Sequence, residues 1–177
     1  MRGLAILFFI LTDCGLVFSQ PQEADGEHKN HLKAAFLYHF STYIDWPNGR
    51  LVPGPLDFCV METEPAVFHF LKQGLLGKRV HDRHTDLRVV QDASQLEGCD
   101  VIFMDEFYGA NFWELKKSID AHKVVTVDGS LEFLKQGGLI RFYLEDNRLR
   151  FEVNLKEARI LGFRISPELL RHARIFE

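Results

Sequence analysis

The sequence lacks the short motifs that mark common enzyme active sites. It has no G-x-G-x-x-G and no Walker loop, because Gly77-Lys78 is followed by Arg79 and the preceding Gly74 lies too close. It has no G-x-S-x-G elbow, no H-E-x-x-H and no C-x-x-C. We therefore expect that the protein is not an enzyme and holds no cofactor; an enzyme using carboxylates near strand ends is the weakest alternative.

Clusters of positive charge are also absent. The 177 residues include 21 Lys and Arg against 25 Asp and Glu, which gives a net charge of -4, and no basic run exceeds two adjacent residues. Proteins that bind nucleic acids present a basic patch, so this composition argues against a nucleic-acid partner. The hydrophobic content of 46%, with 16 phenylalanines, is enough for one domain with a large core.

The sequence has no long hydrophobic run. The apolar segment Leu4–Leu11 is too short to cross a bilayer core of about 30 Å, and Asp13 follows it closely. A short basic start and small residues before Gln20 complete the pattern of a secretory signal peptide, predicted for residues 1–19. Cys14 does not fit a lipid-attachment site, because the residue before it is aspartate.

The chain is organised around a helical signal at Lys33–Pro47, KAAFLYHFSTYIDWP. Its apolar residues share one helical face: Leu32, Phe36, Phe40, Tyr43 and Ile44. We predict a helix from about His31 to Asp45 that packs this face on a sheet and ends before Pro47. Residues 20–30 are polar and are expected to form a flexible start of the mature chain, followed by one domain over residues 31–177.

Strand and helix patterns then alternate. The predicted strands are Leu56–Met61, Thr85–Val90, Val101–Met104 and Val124–Val127, and the predicted helices end near Leu75, Ala121 and Gln136. This order indicates a single α/β domain with a mixed, mostly parallel sheet and helices on both faces. Leu155–Leu161 is predicted to be a helix, and a last helix is expected from Ser166-Pro167 to near Arg174.

A tight antiparallel hairpin is predicted at the C-terminal side. Leu139–Glu145 and Arg148–Asn154 are separated only by Asp146-Asn147, two residues that tolerate positive φ. Period-two alternation predicts that Leu149, Phe151 and Val153 are buried. The same alternation predicts that Arg148, Arg150 and Glu152 are exposed.

Cysteine is scarce, with three in the chain. Cys14 lies in the predicted signal peptide, which leaves Cys59 and Cys99. An even number in an oxidising compartment favours a disulfide, with two buried free thiols as the alternative. Cys59 lies within the first predicted strand and Cys99 at the entrance of the third. If these strands are neighbours, the two residues can form a bridge, and we predict that they do.

Several polar residues are candidates for binding. Asp105-Glu106 and Asp128 follow the third and fourth strands, where open α/β sheets bind ligands, although the acidic pair and lysine of a phospho-acceptor receiver domain are missing. Arg148, Arg150 and Glu152 form either a strip for a partner or anion, or a charge ladder on an exposed face. His81-Asp82, with His84 and Asp86, is interpreted as a solvated loop and not as a metal site.

Two stretches resemble the motifs of a known family. Lys33–Pro47 is similar to the opening motif of the YfiR-like family of exported bacterial proteins, and Gly137–Leu170 is similar to its closing motif. Cys59 and Cys99 fall in the family's order between them, whereas the loop Asp128–Ser130 departs from its usual pattern.

The resemblance implies a periplasmic regulator that binds and restrains a membrane-bound diguanylate cyclase or a similar sensor. It also implies relief of that restraint by an outer-membrane-associated lipoprotein, and a homodimer is expected for such a regulator. The alternative is a periplasmic sensor module that binds a small ligand near Asp105–Tyr108 and Val127–Ser130. The candidate surface for a partner or ligand comprises Arg148, Arg150, Glu152, Asp105 and Asp128.

Overall fold

The computed structural model describes residues 21–47, 54–61, 65–104 and 112–177. In chain order their elements are α1 (Pro21–Tyr43), β1 (Ile44–Asp45), β2 (Leu56–Met61), α2 (Pro65–Leu75), β3 (Arg79–Val80), β4 (Arg83–Val90), β5 (Val101–Met104), α3 (Phe112–His122), β6 (Val125–Asp128), α4 (Leu131–Lys135), β7 (Ile140–Glu145), β8 (Arg148–Asn154), α5 (Leu155–Leu161), β9 (Arg164–Ile165), α6 (Pro167–Leu170) and β10 (Arg174–Phe176). The predicted signal peptide lies outside these residues.

The described strands form an eight-stranded mixed sheet with the order β10-β8-β7-β6-β5-β2-β4-β3. The five strands from β4 to β7 along this order pair in parallel, as expected for strands joined by helical crossovers. β8 is antiparallel to β7, and β10 is parallel to β8. The predicted α/β domain with a mostly parallel sheet and a C-terminal hairpin is confirmed.

The sheet separates two hydrophobic cores. Alternating side chains of one strand enter different cores, so Phe58 and Val60 of β2 pack on the side of α1 and α2, and Cys59 and Met61 pack on the side of α3 and α4. A strand buried on both faces reads as a continuous apolar run. The uninterrupted sequence of Val101–Met104 therefore reflects helices on both faces of the sheet, as predicted.

The first helix is longer at its start and shorter at its end than predicted. α1 begins at Pro21, so residues 21–30, which were expected to form a flexible start of the mature chain, are helical. It ends at Tyr43, and Ile44–Asp45 instead form β1, which pairs antiparallel with β9. This pairing forms a second, two-stranded sheet.

The buried face of α1 is rotated from the predicted one. Phe40 is fully buried and Phe36 is half-buried, with its ring 5.9 Å from that of Phe142 and 5.4 Å from that of Phe151. Tyr43, predicted to be core, is 38% exposed because α1 ends there. Ala34, Leu37, Phe40 and Ser41 of α1 are fully buried, as is Ile44 in β1. Gly74 of α2 approaches this face so closely that an added Cβ would lie 2.6 Å from the Ala34 Cβ.

The hairpin pairs as predicted, from Ile140 opposite Val153 to Glu145 opposite Arg148. Asp146 and Asn147 have φ of 49° and 58°, which matches a two-residue turn with positive φ at both positions. The chain after it departs from the prediction, because the last helix ends at Leu170 and residues 174–176 form β10. The caps agree with the prediction, since Asn154 caps α5 and Ser166 caps α6.

The predicted exposure of Glu152 in the hairpin is wrong. Phe151 and Val153 are buried and Arg148 and Arg150 are exposed, as predicted, and Leu149 is half-buried. Glu152 is only 6% exposed. The physical reason is β10, which lies beside β8 and completes the cover over this carboxylate; the period-two pattern of β8 carries no information about that neighbour.

Candidate functional site

Cys59 and Cys99 form a disulfide with Cα atoms 5.8 Å apart. β2 and β5 are neighbours, with Cys59 opposite Ile102 and Cys99 two residues before β5 begins. The predicted bridge is therefore confirmed, and neighbouring strands provide the geometry on which it depends. Both cysteines are fully buried in the core on the α3 side. We assign this bridge a structural role, because it ties two central strands together.

A buried ion pair lies at the entrance of β2 and β5. Arg83 Nη2 is 2.8 Å from Asp100 Oδ2, and this oxygen also accepts a hydrogen bond from the Asp57 N–H at 3.0 Å. Burial raises the pKa of the Asp57 carboxyl, the Arg88 guanidinium opposes this rise, and Asp100 adds to it. Because the pKa of Asp57 is raised on folding, the folded protein holds this proton more tightly than the unfolded chain does. The stability of the fold therefore falls as pH rises from the ordinary carboxyl pKa through the raised one. These contacts join β4, β2 and the residue before β5.

The histidine-rich segment, predicted to be a loop, is instead part of an antiparallel pair of strands: His84 and Asp86 lie in β4, and only His81-Asp82 connect it to β3. His84 Nε2 lies 3.0 Å from Arg79 Nη1, and Arg79 Nη2 donates to the Asp82 carbonyl. Asp86 accepts a hydrogen bond from the Leu87 N–H. Within residues 21–47, 54–61, 65–104 and 112–177, no three His, Cys, Asp or Glu side chains are grouped as a metal site would require.

Of the two carboxylates predicted at the strand ends, the structure describes only Asp128. Asp105 lies outside the described residues, as do Glu106 and Tyr108. Asp128 is fully buried, and its Oδ1 accepts a hydrogen bond from the Ser130 N–H at 2.6 Å, which shapes the turn before α4. The inclusion of Asp128 in a contact surface is therefore corrected, because its carboxylate points into the protein.

The strip predicted on β8 is wider than the sequence indicated. Four arginines and two glutamates lie together on β7, β8 and β10: Arg141, Arg148, Arg150, Arg174, Glu145 and Glu152. We call this set the arginine strip; its net charge is +2, from four positive and two negative groups, on a chain of net charge -4. Cross-strand pairing places these side chains on one face of the sheet.

Ion pairs order the arginine strip around the ring of Tyr143. Arg141 Nη2 lies 2.6 Å from Glu152 Oε2, and Arg174 Nη2 lies 2.7 Å from Glu145 Oε1. The guanidinium carbons of Arg141 and Arg174 lie 5.3 and 4.5 Å from the centre of the Tyr143 ring, within the range of cation–π contacts. Periodicity on β8 could reveal Arg148 and Arg150 but not the contributions of β7 and β10.

Replacing Glu152 with glutamine should lower the free energy of unfolding by about 1.5–3 kcal/mol, the usual value for a hydrogen bond to a charged group. The change leaves the poorly exposed Arg141 guanidinium without its carboxylate partner. Urea denaturation measures the loss. Glu145→Gln is the matched control on the neighbouring strand. Because Glu145 is exposed, this variant should lower the free energy of unfolding by less than about 0.5 kcal/mol. Equal losses for both variants would contradict this interpretation.

A second feature is a cleft of about 450 Å³ between α1 and the hairpin, near the carboxyl ends of β5 and β6. Lys29 and Lys33 of α1, Gly129 after β6, and Phe142 and Leu149 of the hairpin are among its lining residues. Of the residues predicted to form a ligand crevice, Gly129 lines this cleft, and residues 105–108 lie outside the described part of the chain. Among the described helices, none is long and apolar enough to cross a membrane.

Comparison with known proteins provides two findings. Residues 30–174 match the family model described as YfiR/HmsC-like. The fold is similar to the ABC domain of a Streptococcus pneumoniae protein solved in complex with L-Trp, at a TM-score of 0.50 and 11% identity, over 68% of this chain and 55% of that one. It is also similar to a conserved domain protein of Vibrio cholerae O1 biovar El Tor, at a TM-score of 0.58 and 10% identity, over 84% of this chain and 60% of that one.

These two solved structures inform the fold alone, because sequence identity near one in ten does not carry function. The chain spans little more than half the length of each of them. The family match is different in kind, since it covers nearly all the described elements from the middle of α1 to the start of β10.

Proposed function

Because the chain belongs to the YfiR/HmsC-like family, we propose that it is an exported regulator that binds and restrains a membrane-bound diguanylate cyclase or a similar sensor. Members of this family regulate diguanylate cyclases, and the family is regulatory and not catalytic. The match over residues 30–174 is the observation that carries the proposal. We further propose that the regulator acts in cyclic-di-GMP signalling as a homodimer and that an outer-membrane-associated lipoprotein relieves the restraint.

The proposed compartment is the periplasm. Residues 1–19 read as a signal peptide, and the Cys59–Cys99 disulfide is the kind of bond that persists in an oxidising compartment. In this setting the protein can reach the exported part of a membrane sensor. Detection of the mature chain in a periplasmic fraction, with an N-terminus near Gln20, tests this part of the proposal.

The arginine strip is the surface that we propose for contact with the partner. Arg148 and Arg150 are exposed, and Arg150 is opposite Tyr143 across the hairpin. Arginine and tyrosine are enriched at the centres of protein interfaces, because both combine a large contact area with polar groups. A strip with a net charge of +2 on an acidic protein favours a partner with an acidic surface.

The variant Arg148→Gln/Arg150→Gln should bind the periplasmic part of the cyclase about tenfold more weakly at low salt than the wild type. The physical reason is the loss of two charges that attract an acidic partner, and the wild-type affinity should also fall more steeply with added salt. Surface plasmon resonance across a salt series measures both effects. The free energy of unfolding should change by less than about 0.5 kcal/mol, because both side chains are exposed.

Arg159→Gln/Arg171→Gln is the matched control, since it removes the same charge from exposed positions on α5 and after α6. It should leave binding close to the wild-type value. If both double variants weaken binding equally, net charge and not the arginine strip controls the encounter.

The regulatory proposal has a separate test in the cell. Deleting the gene should raise cyclic-di-GMP, and cross-linking of the tagged protein in membranes should capture a cyclase or another membrane sensor. Unchanged cyclic-di-GMP together with the absence of any membrane sensor among the cross-linked proteins would refute the proposed function. Light scattering on the mature protein checks the homodimer.

A further inference from the structure

The eight-stranded sheet has an open edge at β10 (Arg174–Phe176). This strand pairs with β8 on one side, and none of the described strands pairs with its other side. Within the described part of the chain, no side chain hydrogen-bonds to the backbone of β10. The backbone N–H and C=O groups on such an edge are a template for another strand.

The opposite end of the sheet is protected by contacts within the chain. The Tyr38 hydroxyl donates a hydrogen bond to the Arg79 carbonyl of β3 at 3.2 Å. On β4, the Leu87 N–H donates to Asp86 Oδ1 at 2.8 Å, so a backbone donor beyond the short β3 is already satisfied. Natural sheets commonly block their edges in such ways. β10 lacks this protection and is therefore the edge at which an added strand can pair.

An apolar groove of about 470 Å³ lies beside β10, between this strand and α5. Leu155 and Ile160 of α5 line it together with Ile175 and Phe176 of β10. Ile160 is 65% exposed and Ile175 is 37% exposed. Alternate side chains of a strand project to the same face of a sheet. An extended peptide paired with β10 would therefore place every second side chain over this groove.

Two cationic side chains of α5 line the same groove. Lys156 and Arg159 are exposed and three residues apart, so they project from one side of the helix. Neither side chain forms an ion pair with another described residue, although Glu177 also lines the groove. Both charges are thus available to carboxylates of a ligand, and charge-assisted hydrogen bonds are stronger than neutral ones.

The three features together match an extended peptide that carries both apolar and acidic side chains. A small apolar molecule would leave the backbone groups of β10 and the two cations without partners. An inorganic anion would leave Ile160 and Ile175 in contact with water. A peptide strand satisfies the backbone edge, covers the groove and neutralises the cations at the same time.

We propose that the outer edge of β10 binds an extended segment of a second partner protein as an added strand, with apolar and acidic side chains alternating along the face that meets α5. The arginine strip lies on the other face of the sheet, because Arg174 is level with Glu152 whereas Ile175 is level with Val153 of the α5 side. The inference therefore goes beyond the contact proposed for the cyclase, and each can fail without the other.

The probe is the acetylated and amidated peptide VTETVTE, whose valines and glutamates alternate along one face of a strand while its threonines occupy the other. Isothermal titration of the mature protein should show one saturable site. VTKTVTK, which reverses the charge, and VTETVTE with every amide N-methylated, which cannot donate backbone hydrogen bonds, should each bind at least tenfold more weakly. Hydrogen exchange followed by NMR should show at least one amide of Arg174–Phe176 slowed at least tenfold in the complex.

Lys156→Gln/Arg159→Gln should weaken binding of VTETVTE at least tenfold, because glutamine keeps helix propensity but removes the charge. Ile160→Ser should weaken it about threefold through lost apolar contact, and its exposure allows the change without harm to the core. Lys72→Gln/Lys117→Gln is the matched control, since it removes the same charge from exposed positions on α2 and α3. It should bind like the wild type, and circular dichroism should show that every variant is folded.

Several results would overturn the proposal. The first is the absence of saturable binding, and the second is equal affinity for the N-methylated peptide, because the backbone edge would then not be used. Equal losses in Lys156→Gln/Arg159→Gln and in the control would show that binding follows net charge. Light scattering should give the same molar mass for Ile160→Ser and the wild type. A change from dimer to monomer would show that a second copy of this chain, and not another protein, occupies the edge.

Discussion

Replacing Cys59 and Cys99 together with alanine should lower the free energy of unfolding of the mature protein by about 4 kcal/mol. The bridge closes a segment with a sequence separation of 40 residues, and in the chain-entropy model a loop of this length restricts the unfolded state by about that amount. Typical domains are stable by only about 5–15 kcal/mol. The variant should therefore be folded at low temperature and unfold well below the wild type.

Urea denaturation of the oxidised wild type and of Cys59→Ala/Cys99→Ala measures the effect. The control is the same pair of proteins in excess reductant, where the difference between them should shrink to the packing contribution of the two buried sulfur atoms. Thiol titration of the unfolded, non-reduced protein gives an independent check. Two reactive thiols per chain in protein taken directly from an oxidising compartment would show that the bridge does not form there.

Phe40→Ala should lower the free energy of unfolding by about 3–5 kcal/mol, the usual range for a buried phenylalanine. Phe40 is fully buried, and its ring lies 5.7 Å from that of Phe142 and 5.0 Å from that of Phe151. Truncation therefore leaves a cavity where α1 meets the hairpin. These aromatic pairs add to the cost beyond area alone.

Tyr43→Ala is the matched control for Phe40→Ala, because it truncates an aromatic residue on the same helix at a position that is 38% exposed. Tyr43→Ala should lower the free energy of unfolding by less than about 1 kcal/mol. Phe36→Ala should fall between the two, since Phe36 is half-buried. If Phe40→Ala and Tyr43→Ala cost the same, α1 does not pack on the sheet in solution as the structure has it.

The candidate sites differ in how far they could be predicted from the sequence. Arg148 and Arg150 were predictable, because alternation along one strand assigns their face. Arg141 follows from the register of the predicted hairpin, which places it opposite Glu152. Arg174 was not predictable, since it joins the strip through β10, a three-residue strand that the sequence did not indicate. The two lysines of the cleft sit on a stretch of α1 whose pattern indicates only a helix. That they face Phe103 and the hairpin depends on how α1 crosses the sheet.

The short strands could not be predicted from the sequence either, because they also depend on pairing with other strands. β1, β3 and β9 have two residues each and β10 has three, which is too few for any periodicity to appear. Each exists because a partner strand lies beside it. The end of α1 at Tyr43 and the burial of Glu152 follow directly from two of these short strands.

The sequence by itself determined the α/β class, the main parallel strands, the hairpin with its two-residue turn, and the caps of the last two helices. These features depend on local periodicity, turn residues and capping side chains, all of which act between residues close in the chain. The tertiary structure decided which face of α1 is buried, the bridge geometry of Cys59 and Cys99, the extent of the arginine strip and the existence of the cleft. Each of these depends on which distant elements become neighbours, and neighbours are selected by the packing of the whole sheet.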